Sequence, residues 1–500
     1  MSKKKSLPGP ITILMMVIVI AALSTWILPA GQYNKLSLVN KEKFVMISPS
    51  SEVSLPFKQK TLDSLGVNIS IQKFIDGDIR KAVSVPGTFQ KQEKNSQGFI
   101  QILQAPIKGI IDSIDIILFI LFVGGFMYVF NETGAMVKGI TYLSHVMRGK
   151  ESRLIIILTS IFSFLGASYG MAEESIVFYP LLVPIFIAAG YDLLIPIAVI
   201  YGGVSIGGIS SFSNPFSTII ASNAAGINWM DGLYERILMY VISTFLFVWF
   251  ILKYAKKVKN NPSSSLVFQI DGIVKPLYDM NIVYDEVVQK LELKTKLLLG
   301  LYFSTFITMI AGVVFLNWWT TEMSALFLVS SILIAIIIRM NEKIFISEFI
   351  NGAQSFLSVA FIVGVARGVT VVLNEGHISD SILFYTAHLV QGMPAELFIV
   401  LLLVFYAFFS LFISSSSGMA VLTMPIIGAM AIIVNIPGRE IVNSYNYGMG
   451  IMSFVSPTGL LLPSLALVNV SLKVWMRFIM PLITMLIILC ALFLIIGICF

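Results

Sequence analysis

Two adjacent carboxylates, Glu173 and Glu174, stand inside the apolar run GASYGMAEESIVFYP at positions 166–180. An ionised carboxylate held away from water without a partner is costly, so the pair calls for a cation: a bound solute, a coupling ion or a proton. Adjacent residues on a helix point about 100° apart, so one glutamate can face a site while its neighbour meets protein. The Gly170 to Glu173 spacing also matches a helix N-cap and its third residue, which would let Glu173 cap the following helix.

Four further stretches break the apolar pattern with hydroxyls and amides. Two read as hairpin tips: GASYGMAEE (166–174), with Ser168 and Gly170, and ISSSSGMAV (413–421), with Ser415, Ser416, Ser417 and Gly418. Two read as interrupted helices: SSFSNPFST (210–218), with Ser213, Asn214, Ser217 and Thr218, and SFVSPTGLL (453–461), with Ser456 and Thr458. Asn214-Pro215 and Ser456-Pro457 put a proline where it removes a backbone donor and disfavours helix just before it. Unwound backbone at membrane depth is tolerated only when buried in protein or lining a wet cavity. There its hydroxyls, amides and helix ends become ligands for a small polar solute or an ion. Arg367, in VGVARGVTVVLNEGH, is a mid-membrane cation suited either to substrate binding or to a structural ion pair, with Glu375 about two turns along the same face.

The elements that must hold these residues are membrane helices. Hydrophobic residues make up 57% of the 500 and charged residues 12%, and the mean hydropathy is +0.89. Apolar runs of about 20 residues, long enough for the hydrocarbon core, recur along the chain. The fold class is therefore an all-α polytopic membrane protein. Residues 1–30 read as a first transmembrane helix, its Lys3, Lys4 and Lys5 end in the cytoplasm. Residues 31–97 read as an extracytoplasmic loop with short strands, and 98–256 as a first membrane unit. A cytoplasmic linker and two further spans fill 257–344, and 345–500 form a second membrane unit. Arg153, Arg236 and Arg477 read as membrane-edge anchors.

The second unit repeats the first. NE at 131–132 returns at 374–375, SYGMA at 168–172 as SSGMA at 416–420, and GISSFSNP at 208–215 as GIMSFVSP at 450–457. Three matches in one order at nearly one offset point to duplication. Counting crossings, the first unit begins outside and the second inside, so the two are inverted. Inverted repeats with broken helices are the build of many secondary transporters, whose solute binds near the midplane. At the offset of the hairpin match, Glu173 and Glu174 fall on Val421 and Leu422, so the tip does not require carboxylates structurally.

Other classes lack their residues. No HExxH, GxSxG or paired His/Asp cluster occurs at depth, so an enzyme is not expected. The histidines at 145, 377 and 388 are scattered, and Cys490 and Cys499 share the last helix, so neither a metal, a cofactor nor a disulfide is expected. The net charge of +6 lies at loops and helix ends, which fits membrane orientation and not nucleic-acid binding. A channel would need a continuous pore, which inverted symmetry disfavours.

At these motifs the chain resembles the YfcC family, within the anaerobic four-carbon dicarboxylate carrier group of the ion transporter superfamily. The residues that carry the resemblance are VPGTFQ with APIKGI, FVGGFMYVFNETGA, GMAEESIVFYP, GVARGVTVVLNEGHI, SSSSGMAVLTMPI and PTGLLLPSLALVNVSLKVWMRFIMP, spread over nearly the whole chain. The family's Thr-Ser-Thr-Ser-Gly hairpin is represented by Ser414 to Ser417 with Gly418, and its Pro-Thr-Ser-Gly by Pro457, Thr458 and Gly459, one residue shorter. The resemblance implies a secondary carrier of the inner membrane, moving its transport domain as an elevator within a homodimer. It further implies exchange of basic amino acids such as arginine for ornithine, or, in more distant relatives, carriage of dicarboxylates. Charge separates these: a dicarboxylate wants cations, of which Arg367 is the clear one, whereas a dibasic amino acid wants the carboxylates Glu173 and Glu174. The sequence therefore points to a basic amino acid antiporter, with a carrier of dicarboxylates or other small organic anions, coupled to Na⁺ or H⁺, as the alternative.

Overall fold

A computed structural model of the chain describes residues 10–499 apart from 40–41, 50, 68, 70, 76–81, 137, 140–141, 143–149, 169, 226, 273–290, 317, 319, 390–392 and 434–435. Lys3, Lys4 and Lys5 and much of the 257–293 connection lie outside the described residues.

Helix α1 (Pro10–Ile27) leads into a small β subdomain. Its strands are β1 (Gly31–Gln32), β2 (Lys35–Val39), β3 (Lys43–Ser48), β4 (Ser51–Pro56), β5 (Val83–Ser84) and β6 (Gln90–Lys91), with short helices α2 (Gln59–Ser64) and α3 (Ile71–Ile75) after β4. Four strands form an antiparallel sheet in the order β4-β3-β2-β5, and β1 pairs with β6. Alternation sends Leu36 and Phe44 into a core with Leu62, Val67 and Val83. The expectation of strands in 31–97 therefore holds.

The first membrane stretch is α4 (Phe99–Asp112), α5 (Ile114–Glu132), α6 (Glu151–Ser168), a 3-10 turn at Glu173–Phe178, α7 (Tyr179–Ala188), α8 (Leu194–Ile197), a π turn at Ala198–Gly202 and α9 (Gly203–Ser210). After a break at 211–214 come a second π turn at Pro215–Ile219, α10 (Ile220–Ala224), α11 (Leu233–Asn260) and α12 (Leu266–Ile270). Two long helices follow, α13 (Leu293–Leu316) and α14 (Thr320–Ile338). The closing stretch is α15 (Glu342–Glu375), α16 (Ser379–Leu389), α17 (Ala395–Ser410), α18 (Ser416–Ile433), α19 (Gly438–Ser453), α20 (Leu461–Leu467) and α21 (Leu472–Cys499). Among the described residues, six helices are long and apolar enough to cross a membrane: α1, α5, α11, α14, α15 and α21.

The order from α4 to α11 recurs from α15 to α21: long helix, hairpin, helix, break, short helix, long helix. The two opening helices pack on each other through small residues. A Cβ on Gly124 would lie 2.5 Å from the carbonyl oxygen of Gly352, and one on Gly109 2.3 Å from that of Gly364. Rising numbers on α4–α5 thus meet falling numbers on α15, so the helices run antiparallel. Only glycine permits that backbone approach. The other side of α5 packs its Phe126 against Tyr302 and Phe306 of α13 and Phe327 of α14.

One expected anchor is placed elsewhere. Arg236 is fully buried, and its guanidinium donates to the carbonyls of Trp229 and Asp231 and to Asn443 Oδ1. A charge with backbone acceptors at hand does not need the membrane edge to be satisfied. Arg153 and Arg477 are exposed, as the anchor reading expects.

Candidate functional site

Each hairpin tip is fastened to the break in its own stretch. In the first, α9 ends on Ser211 in the left-handed region, φ 32°, and the chain restarts at Pro215, whose fixed φ suits the first turn of a helix. Asn214 caps that restart, its Oδ1 accepting from Phe216 N–H at 2.9 Å. Ser213 Oγ donates to the Ser168 carbonyl at 3.1 Å. Gly170, at φ 83°, passes so close that a Cβ would sit 2.5 Å from Asn214 Oδ1. Ser217 donates to Ser211 Oγ at 3.3 Å, and Thr218 donates to the Ser211 carbonyl. The two stretches meet here as well, since Asn446 of α19 donates to Thr218 Oγ1 at 2.9 Å.

The second tip is built in the same way. Ser415 precedes α18 and its Oγ accepts from Gly418 N–H at 3.2 Å, the usual office of an N-cap serine. The Ser416 carbonyl accepts from Tyr445 at 2.8 Å, and Ser417 is half-buried. Thr458 Oγ1 donates to the Leu411 carbonyl at 2.7 Å and lies 2.8 Å from Ser456 Oγ. In the first stretch a break hydroxyl donates to a tip carbonyl; in the second it donates to the end of α17, two residues before the tip.

The glutamates differ from the capping expectation by one residue. The turn after the first tip starts at Glu173, preceded by Ala172 and not by Gly170. It is Glu174 whose Oε2 accepts from Ala172 N–H, at 2.9 Å. The positive φ of Gly170 uses an extra loop residue before helical geometry begins, which shifts the register. Glu174 is 8% exposed and forms no ion pair with any described residue. Glu173 is half-buried.

Arg367 is placed apart from the glutamates, in a cavity of about 300 Å³. One face of α15 supplies Arg367, Thr370, Asn374 and, just past its end, His377. The second hairpin supplies Ser415, Gly418, Val421 and Leu422, the last two being the positions that match Glu173 and Glu174. The remaining wall is Gln32 and Lys35 of the β subdomain with Asp380 of α16. Lys35 pairs with Asp380 at 2.9 Å, and Asp380 also accepts from Tyr33 N–H at 3.0 Å. Burial, with the Asp380 charge beside it, pushes the Tyr33 phenol above its ordinary value, so it stays neutral. Arg367 itself has no hydrogen bond or ion pair with any described residue. Its expected partner Glu375 is held by Lys108 of α4 at 2.6 Å, because α4 packs along the end of α15 and brings a nearer cation.

Two cations and one carboxylate, with His377 counted neutral, leave the cavity a formal charge of +1. An unpaired guanidinium beside hydroxyls suits a carboxylate, which it can hold with two parallel bonds. The sequence marked Arg367, Ser415 and Gly418 but missed Asn374, His377, Lys35 and Asp380. The spacing 367, 370, 374, 377, one polar stripe on a helix, was the available signal for the first two. Nothing local pairs Lys35 with Asp380, which are 345 residues apart.

Comparison with known proteins bears on the whole chain. A family model described as "DcuC: C4-dicarboxylate anaerobic carrier" matches residues 7–499. A protein of Haemophilus influenzae is 35% identical over 487 residues, covering 96% of each chain. An Escherichia coli K12 protein named "Putative basic amino acid antiporter YfcC" is 26% identical over 505 residues, covering 95% of this chain and 93% of that one. Among solved structures, the Alcanivorax borkumensis YdaH transporter aligns with a TM-score of 0.39 at 11% identity, over 98% of both chains. Neisseria gonorrhoeae MtrF aligns with a TM-score of 0.36 at 13% identity, over 99% of this chain and 96% of its own.

Proposed function

The chain belongs to the C4-dicarboxylate anaerobic carrier family, and from that premise we propose that this membrane transporter exchanges one basic amino acid for another, arginine and ornithine being the leading pair. The observation that carries the reading is Arg367, without a partner among the described residues, beside the second hairpin tip and suited to the α-carboxylate of an amino acid. The cavity's formal +1 attracts the α-carboxylate, while the adjacent α-ammonium has the acceptors of Thr370, Asn374 and Asp380 within the same lining. Glu174 lies outside that cavity and has no cation among the described residues; movement of the hairpins must bring it to the dibasic side chain, whose charge it would oppose. The E. coli relative's printed name points the same way.

The mechanism follows from charge. Glu174 loses water when the empty site crosses the barrier, so empty return is slow, whereas a bound cation neutralises it and lets the site move. Exchange results, and two amino acids of equal charge swap without opposition from the membrane potential. In this reading the hairpins and breaks ride as an elevator in a homodimer of the inner membrane, with the N-terminus cytoplasmic and the β subdomain outside. Tip residues Ser168, Gly170, Ser415 to Ser417 and Gly418, with Ser213, Asn214, Ser217, Thr218, Ser456 and Thr458, form the walls. A second reading, a dicarboxylate carrier coupled to Na⁺ or H⁺, is favoured by Lys35, a second cation in the same cavity once released from Asp380.

Counterflow separates them. Proteoliposomes preloaded with ornithine should take up labelled arginine much faster than empty ones. Stimulation by internal succinate instead, with arginine inert, reverses the assignment.

A further inference from the structure

The β subdomain takes no part in the exchange just described, yet it supplies one wall of the Arg367 cavity. It is fixed to the end of α15 and the start of α16 by several bonds. Gly31 N–H donates to the His377 carbonyl at 2.9 Å, Gln32 bonds the His377 ring, and Asn95 donates to the Glu375 carbonyl at 2.8 Å. Phe89 stacks on Phe384 of α16 with ring centres 4.0 Å apart. These bonds go to α16, to the end of α15 and to His377 between them, and strand β5 also packs on α18 of the second hairpin, which supplies the opposite wall.

Lys35 stands at the join. Its ammonium donates to Ser84 Oγ and to Asp380 Oδ1, both at 2.9 Å, and its side chain keeps 30% of its surface exposed. Asp380 is 5% exposed at its side chain and, if the lysine were lost, would present to the cavity a carboxylate held, among the described residues, only by Tyr33 N–H and with its charge uncompensated by Lys35. The charge seen by an entering solute is therefore Arg367 plus whatever Lys35 leaves of Asp380.

We propose that the β subdomain is a wall of the solute-entry cavity, and that the Lys35–Asp380 pair sets the charge this cavity presents to the carboxylate end of the solute. The pair is thus a specificity device: intact, it leaves Arg367 to attract an anionic group; without Lys35, Asp380 cancels Arg367 and the preference for carboxylates falls. The inference rests on the reading of the cavity as the solute's path, but its test needs no transported solute.

The test is the reactivity of a cysteine at Leu422, a half-buried lining residue of the second hairpin. Leu422→Cys is made with Cys499→Ser, since Cys499 is exposed while Cys490 is buried. The intact full-length protein is labelled with a sulfonate-bearing and a trimethylammonium-bearing methanethiosulfonate, and the ratio of the two rates, each divided by that reagent's rate with free cysteine, reads the local potential. We expect the sulfonate to react faster, Lys35→Gln to lower the ratio by about fivefold or more, and Asp380→Asn to raise it, because each changes the cavity by one unit of charge. A parent ratio at or below unity, or a ratio that fails to move in opposite directions in the two variants, overturns the proposal. If Asp380→Asn does not fold, Lys35→Ala replaces it and must lower the ratio as Lys35→Gln does. Failed arginine counterflow with the labelling result intact removes the exchange reading and leaves this inference standing; the converse pattern removes this inference alone.

Discussion

Replacing Arg367 with glutamine removes a charge that no described residue uses. The effect on the fold and the effect on the solute should therefore separate. In the empty protein the guanidinium is half-buried with no counter-charge paired to it among the described residues, so its loss relieves a desolvation cost, and the thermal midpoint should stay or rise. In the loaded protein the same change deletes a charge-assisted bond worth about 1.5–3 kcal/mol. At 1.4 kcal/mol per decade, that is a loss of roughly 10- to 150-fold in apparent affinity. Arg367→Lys keeps the charge but not the planar fork, and should fall between wild type and Arg367→Gln. The assay is the concentration dependence of labelled arginine uptake into ornithine-loaded proteoliposomes, with the unfolding midpoint measured on the same preparations. A folded Arg367→Gln protein whose apparent affinity stays within about threefold of wild type refutes the carboxylate role. A large drop in its midpoint would show instead that Arg367 is structural.

Three further substitutions have defined outcomes. Glu174→Gln keeps an acceptor for Ala172 N–H, so it should fold normally while losing more than about tenfold in apparent affinity for arginine; near-normal transport by both Glu173→Gln and Glu174→Gln would leave them only a structural part. Gly352→Leu puts a side chain where even a Cβ meets the Gly124 carbonyl oxygen at 2.2 Å, and should destabilise by about 1–3 kcal/mol or more in thermal unfolding; an unchanged midpoint would contradict the packing of α5 on α15. Thr458→Val removes the donor to the Leu411 carbonyl and should cost about 0.5–1.5 kcal/mol, measured the same way, because a half-buried hydrogen bond is lost; wild-type stability would show that this link between hairpin and break is dispensable.

Much of the architecture is legible in residue types. Prolines 215 and 457 cannot donate, so the breaks stand where the sequence places them, and serines at both tips and breaks supply the bonds that unwound backbone lacks. Membership of a carrier family also makes the chain a transporter and not an enzyme, in line with its missing catalytic motifs. What sequence spacing could not give are choices made between elements. Glu375 stands on the expected face of α15, yet Lys108 arrives from α4 and takes it. Arg236 looked like an anchor because it starts a helix, but the carbonyls of Trp229 and Asp231 reach it from the preceding turn. The capping glutamate moved from 173 to 174 because one left-handed glycine lengthened the loop. Lys35 was one lysine among many in a polar segment, and only tertiary packing gives it Asp380.

The central claim is that the carrier holds its solute by a carboxylate, and agmatine, which is arginine without that group, tests it most directly. Unlabelled arginine and agmatine are compared as competitors of labelled arginine in ornithine-loaded vesicles. The account predicts that agmatine competes at least about tenfold more weakly, the equivalent of one lost charged hydrogen bond. Equal competition by the two compounds would mean that the cationic end alone is recognised, and that the Arg367 cavity does not bind the solute.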